Sequence, residues 1–124
     1  MKKIFIMSVL VLILVLSWPK QAGSLDIPVT EKTIPQIINH FAKQYNVSAE
    51  KMLKTLTCES NLNPRAIGDH GKSFGIAQIH LPSHPYVSVA QAQDPIFATE
   101  FMAKEFARGN AKIWTCYRIH FNLK

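Results

Sequence analysis

The chain has 124 residues, 48% of them apolar and 18% charged, with two cysteines and a formal net charge of +6. That length accommodates one small domain and excludes a two-domain enzyme. The positive surplus is spread along the chain without a dense basic stripe, so nucleic acid is not an expected partner.

Lys2 and Lys3 precede an apolar run from Ile4 to Leu16 broken only by Ser8, which is the profile of an export signal. As a helix these 13 residues would reach about 20 Å, short of a bilayer core of about 30 Å. The small residues Ala22-Gly23-Ser24 predict cleavage before Leu25, making residues 1–24 a signal peptide and 25–124 the folded domain. Pro19, Lys20 and Gln21 crowd that site, and extending the apolar count to Trp18 leaves an uncleaved membrane anchor as the alternative. Cleavage would remove Lys2, Lys3 and Lys20 and take the charge from +6 to +3, enough for loose attraction to an acidic polymer. An exported chain, in a periplasm, an envelope or outside the cell, meets an oxidising compartment, so Cys58 and Cys116 are expected to pair. Closing a loop of that length stabilises a domain by about 4 kcal/mol in the chain-entropy account.

Leu25 to Glu31 reads as an extended lead-in. Thr33 then caps a helix with Pro35 in its first turn, and Ile34, Ile37, Ile38, Phe41 and Tyr45 mark its apolar face. Ser48 caps a second helix, with Val47 and Met52 placed as a hydrophobic staple and Met52, Leu53 and Leu56 on an inward stripe leading to Cys58 and Glu59. Asn63-Pro64 ends it. Gly68, Gly71 and Gly75, with Asp69, Lys72 and Ser73, make a backbone-rich loop. Pro82 and Pro85 exclude a regular helix, Ser88 opens a short one over Val89–Gln93, and Asp94-Pro95 starts a strongly apolar helix carrying Ile96, Phe97, Phe101 and Phe106 to a stop at Gly109. Asn110 is expected to cap the last helix, on which Ile113, Trp114 and Tyr117 cluster with Cys116. No alternating strand pattern of useful length is present, so the fold class is mostly α.

Three short motifs point elsewhere and fail on context. Gly71-Lys72-Ser73-Phe74-Gly75 has the spacing of the α/β-hydrolase nucleophile elbow, with Asp94 and His120 following in order, yet no buried strand precedes Ser73. Gly71-Lys72-Ser73 imitates the end of a phosphate loop, but Ala66 stands where its first glycine belongs. His80 and His84 have the separation of helical zinc ligands, but Pro82 lies between them and no glutamate follows His80. Neither metal nor cofactor is expected.

Glu59-Ser60, Asn63-Pro64-Arg65-Ala66, then Ser73-Phe74-Gly75-Ile76-Ala77-Gln78-Ile79 and Pro82 resemble, in order and spacing, the glutamate motif and the S-x-G-x-x-Q segment of the lytic transglycosylases of the lysozyme-like superfamily. Cys116-Tyr117 resembles the late tyrosine motif of that family, and the likeness covers roughly residues 48 to 118. It implies a small lysozyme-like helical domain that acts on peptidoglycan strands at the MurNAc-GlcNAc β-1,4 bond. Glu59 would serve as general acid and base, with Ser73, Gln78 and Tyr117 orienting the sugar. Gly68-Asp69-His70-Gly71 with Phe74-Gly75 and Gln78 is similar to goose-type lysozyme, which implies hydrolysis of the same bond with Asp69 positioning water. A second acidic position of that family is His80 here, and Arg118 stands where transglycosylases commonly carry asparagine. A binding module that keeps the groove without turnover is the non-enzymatic alternative.

Independently of any likeness, a carboxylic acid at a helix C-terminus faces the negative end of the helix dipole, and burial acts in the same direction. Both are expected to raise the pKa of Glu59 toward a value suited to protonating a glycosidic oxygen. A Cys58–Cys116 bridge would tie the residue before Glu59 to the residue before Tyr117.

Overall fold

A computed structural model of the chain describes residues 27–121. The expected signal peptide or anchor, and the expected cleavage before Leu25, fall outside the described residues. Among those described, no helix is long and apolar enough to cross a membrane.

The fold is mostly α, and its helices begin where local chemistry says they should. Helix α1 spans Ile34–Tyr45, and Gln36 reaches back so that its Oε1 accepts the Thr33 N–H at 2.8 Å. Helix α2 spans Ala49–Ser60, with Ser48 Oγ accepting the Lys51 N–H at 3.2 Å. The short helix α3, Val89–Gln93, opens on a reciprocal box between Ser88 and Gln91. Helix α4, Pro95–Ala107, starts on Asp94, whose Oδ1 accepts the Ile96 N–H at 3.0 Å. A 3-10 turn over Ala111–Ile113 leads into α5, Thr115–His120.

Between α2 and α3 the loop contains a small antiparallel sheet that the sequence pattern did not reveal. Its strands are β1 (Ile67–Gly68), β2 (Ser73–Phe74) and β3 (Ile79–His80), in spatial order β1-β2-β3. Gly68 pairs with Ser73, and Ser73 in turn with His80. Each strand has two residues, too few to show the period of two on which a strand is recognised.

Helix α1 packs on α4 and α2, and α2 packs on α5. The core joins Ile38, Met52, Leu56, Met102 and Trp114 to Ile76 and Ile79 from the sheet region, so the sheet is docked on the helices by its own buried side chains. Three expectations are corrected here, for Leu53, Asn110 and Ile113, and the structure assigns the buried face of α4 that the sequence left open. Leu53 is exposed, while Thr55 takes the buried place beside Met52 and Leu56. On α4 the buried stripe is Ala98, Thr99, Met102 and Ala103, and Ile96, Phe97, Phe101 and Phe106 lie half-buried along its flanks. Small side chains on that stripe let neighbouring elements approach closely. Asn110 does not cap α5, because Trp114 occupies the N-cap position and the Asn110 amide donates to Glu105 instead. Ile113 points outward, 51% exposed.

Gly75 shows how tightly the sheet is set. Its φ is +78°, and a Cβ at that position would lie 1.7 Å from the Ala92 carbonyl oxygen of α3. Gly75→Ala therefore combines left-handed strain with a backbone collision, and should lower the unfolding free energy by about 3 kcal/mol. Urea titration of the purified variant, compared with Gly71→Ala where a Cβ meets nothing within 4 Å, isolates the collision from the strain.

Candidate active site

Glu59 lies in the last turn of α2, one residue from its end, and is half-buried. Ser60 anchors that end: its hydroxyl donates to the Ile76 carbonyl at 2.8 Å and lies within 3.2 Å of the Leu56 carbonyl. Asn61 and Leu62 follow with φ of 52° and 59°, a left-handed pair that reverses the chain toward the sheet. Cys58 and Cys116 are bonded, with their Cα atoms 5.8 Å apart, as the pairing of two cysteines predicts. The bridge brings the first turn of α5 against the last turn of α2, where the Cys116 N–H donates to Glu59 Oε1 at 3.2 Å.

Four influences act on the Glu59 carboxyl. Burial, the largest, raises its pKa above the ordinary glutamate value; the Cys116 N–H opposes the rise; the negative charge of Asp69 adds to it; and Arg118 opposes it. The net direction is upward.

Asp69 is held in that range by an unusual stretch of backbone. Asp69, His70 and Gly71 have φ of 48°, 54° and 83°, three consecutive left-handed residues linking β1 to β2. Conformations of this kind cost on the order of 1 kcal/mol or more for non-glycine residues and persist where surrounding contacts impose them. Here the contact is Ser73, whose hydroxyl donates to Asp69 Oδ2. Ser73 itself is 1% exposed. Its hydroxyl is therefore turned to Asp69, and the exposed Asp69 carboxylate is what this pair presents to solvent.

Gln78, at φ 47°, is clamped in a similar way. Its Nε2 donates to the Gly75 carbonyl at 3.0 Å, and its Oε1 occupies the space a Cβ on Gly68 would need, at 2.2 Å. Gly68 and Gly75 together make the seat for this side chain.

Gln78 also lines a cleft of about 580 Å³, whose walls include His80, His84, Phe101, Glu105 and Trp114. Glu59, Ser73 and Tyr117 do not line it. Tyr117 packs between Phe106 and Phe121, with ring centroids 5.2 and 4.9 Å away, and is linked to Glu59 through the preceding residue, Cys116. The structure thus gathers Glu59, Asp69, Ser73 and the bridge into one locus and sets Gln78 in the lining of the cleft. It gives Tyr117 a packing role on α5.

Glu105 was not singled out from the sequence. It is a carboxylate 8% exposed in the cleft wall, bonded by Arg108 at 2.6 Å and Asn110 at 2.7 Å. The α4 run carries two acidic residues, Glu100 and Glu105, and the sequence alone does not say which of them is buried. Trp114 is fixed by its indole N–H donating to the Ala77 carbonyl at 2.8 Å. His80 and His84 line the same cleft, with Nδ1 atoms facing Ser83 Oγ and Tyr86 Oη. No group of three or more His, Cys, Asp or Glu able to hold a metal occurs among the described residues. Ser73 sits in a hairpin strand paired on both sides, without the strand-to-helix turn that a hydrolase elbow requires.

Comparison of the chain with family models, with curated proteins and with solved structures finds no match.

The raised pKa of Glu59 has a measurable consequence for stability. A carboxyl group whose pKa is higher folded than unfolded resists ionising in the fold, so stability falls as pH rises from the unfolded value through the folded one. Glu59→Gln keeps an acceptor for the Cys116 N–H and cannot ionise. Its melting temperature should exceed that of the unsubstituted protein at pH 7 to 8, and the difference should close on acidification below the ordinary glutamate range of about 4. A melting series against pH checks both halves of this expectation.

Proposed function

We propose that the protein is an exported peptidoglycan lytic transglycosylase that cleaves the MurNAc-GlcNAc β-1,4 bond with Glu59 as its single general acid and base. The observation that carries the proposal is the state of Glu59: a half-buried carboxyl, biased toward protonation, held against α5 at the end of a helix. The sequence likeness around Glu59-Ser60, Ser73 to Gln78 and Cys116-Tyr117 supports the same reading, and the bridge suits an oxidising compartment.

In this reading Glu59 gives its proton to the glycosidic oxygen as the bond to the anomeric carbon breaks. The substrate's acetamido group stabilises the cationic sugar. The Glu59 carboxylate then takes the proton of the sugar's own 6-hydroxyl as that oxygen closes on the anomeric carbon, leaving an anhydro end and a restored acid. The glycan continues from Glu59 past Gln78 into the cleft, where Phe101 and Trp114 give apolar surface and His80, His84 and Glu105 give polar contacts. Gln78 touches the sugar at the junction; Ser73 acts through Asp69.

One observation favours a second reading. The hydroxyl of buried Ser73 pins Asp69, so a second carboxylate stands exposed near Glu59 with one oxygen uncommitted to Ser73. That is the arrangement a muramidase uses to position and deprotonate a water against the anomeric carbon, giving a reducing end.

Digestion of purified sacculi with product mass spectrometry separates these outcomes. Anhydro-muramic ends, with Glu59→Gln slower by at least about 10³-fold and Asp69→Asn reduced only modestly, support the transglycosylase. Reducing ends with a loss of about 10²-fold or more in Asp69→Asn support the hydrolase. Saturable glycan binding without products, unchanged in Glu59→Gln, identifies a binding module and rejects both.

A further inference from the structure

The acid and its hydrogen-bond donor are each adjacent to a half-cystine: Cys58 precedes Glu59, and the N–H that donates to Glu59 Oε1 belongs to Cys116. The two segments lie 57 residues apart in the chain, and this amide is the hydrogen-bond donor that reaches the Glu59 carboxyl among the described residues. An acid that gives up a proton becomes an anion in a half-buried place, and a fixed N–H aimed at its oxygen stabilises that anion as it forms. Burial and the amide therefore serve opposite halves of one proton transfer: burial keeps the proton on Glu59 before reaction, and the amide receives the charge once the proton has left.

We infer that the Cys58–Cys116 bridge is a positioning device for the reaction, holding the Cys116 N–H on Glu59 so that the carboxylate produced by proton donation is stabilised, and that reduction of the bridge switches this stabilisation off. The inference rests on the reading of Glu59 as general acid. Cys58 is exposed and Cys116 is buried, so a thiol reagent approaches the bridge from the Cys58 side. The charged groups bearing on Glu59 are Asp69, from the turn between β1 and β2, and Arg118, on α5. The Arg118 guanidinium is itself held by the Lys112 carbonyl and by Thr115 Oγ1, so it stays with its helix.

The test uses the full-length chain. In the oxidised protein the Cys116 amide proton resonance should move with pH at the Glu59 midpoint, and Glu59→Gln should abolish that movement. In Cys58→Ala/Cys116→Ala, and in the dithiothreitol-reduced protein, the residue-116 amide should no longer report Glu59. On peptidoglycan, kcat should fall by about 10²-fold, the effect of removing one preorganised donor, while KM changes by less than about threefold. The alkaline limb of the kcat profile should move to higher pH, because the lost N–H favoured the ionised carboxylate and Asp69 remains.

A Cys116 amide that ignores pH in the oxidised chain overturns the inference, and this arm decides even where the bridge-less variant fails to fold. A folded bridge-less variant with unchanged kcat, or with an alkaline limb unmoved or lowered, overturns it too. An amide that follows Glu59 in a protein that cleaves no glycan sinks the assigned activity and upholds the placement of the donor.

Discussion

Glu59 stands where the end of α2 meets the beginning of α5, two segments separated by most of the domain's loops, and the chain closes that distance with one covalent bond and one hydrogen bond side by side. Every other feature of the site is referenced to this joint. The sheet is docked to it by Ser60, whose hydroxyl reaches the Ile76 carbonyl, and the cleft wall is fixed relative to the sheet by Trp114, whose indole reaches the Ala77 carbonyl. Two backbone carbonyls, one residue apart, are thus held by side chains from the two helical segments that flank the joint. A segment clamped on consecutive residues cannot slide without breaking both bonds, and so Gln78, immediately after it, is located to the tolerance of the helices themselves.

The serine, glycine and glutamine of the Ser73–Gln78 segment have physical reasons that do not depend on any family. Gly75 is required because its φ is left-handed and because the last turn of α3 fills the space of a side chain. Gln78 is required to be long enough to reach back to the Gly75 carbonyl, and Gly68 must be small so that the amide can lie against it. Ser73 is required to be both small and a donor, since it is buried beneath the Asp69 turn and its hydroxyl is what holds that turn. The segment is a packing solution, and through it the Asp69 turn is held by Ser73 and Gln78 is set in the lining of the cleft.

Much of the helical frame was legible in the sequence because helix starts are local events. Ser48, Ser88 and Asp94 each accept an N–H within three residues, the Thr33 N–H is itself taken by Gln36, and the chain announces all four starts. The inward side of α4 was not legible, since a helix rich in apolar residues offers little contrast from which to choose a face, and small residues rather than the aromatic rings take the buried place. Asn110 was misread for a related reason: its capping chemistry was real, but a buried carboxylate five residues earlier claimed it. For the site, the position of Glu59 and the bridge could be read from motif and cysteine count. The burial of Ser73 could not, because it depends on β1 and β3 closing over it from either side, and two-residue strands leave no periodic trace.

Asp69 and Glu59 finally show how one small loop can assign different conditions to two carboxyl groups. Glu59 is half-buried, so its ionised form is disfavoured mainly by loss of water; Asp69 is exposed and accepts a hydrogen bond from the Ser73 hydroxyl, which fixes its direction. The charge of Asp69 then acts back on Glu59 and adds to the burial. Arg118 and the Cys116 amide pull the other way, both from α5. The charged form of Glu59 is therefore disfavoured first by burial and then by Asp69 on the β1–β2 turn, and favoured by the two groups of α5. Because α5 is fastened to α2 by the bridge while Asp69 is fastened to the sheet by Ser73, the balance is set by where the sheet and the last helix sit on α2.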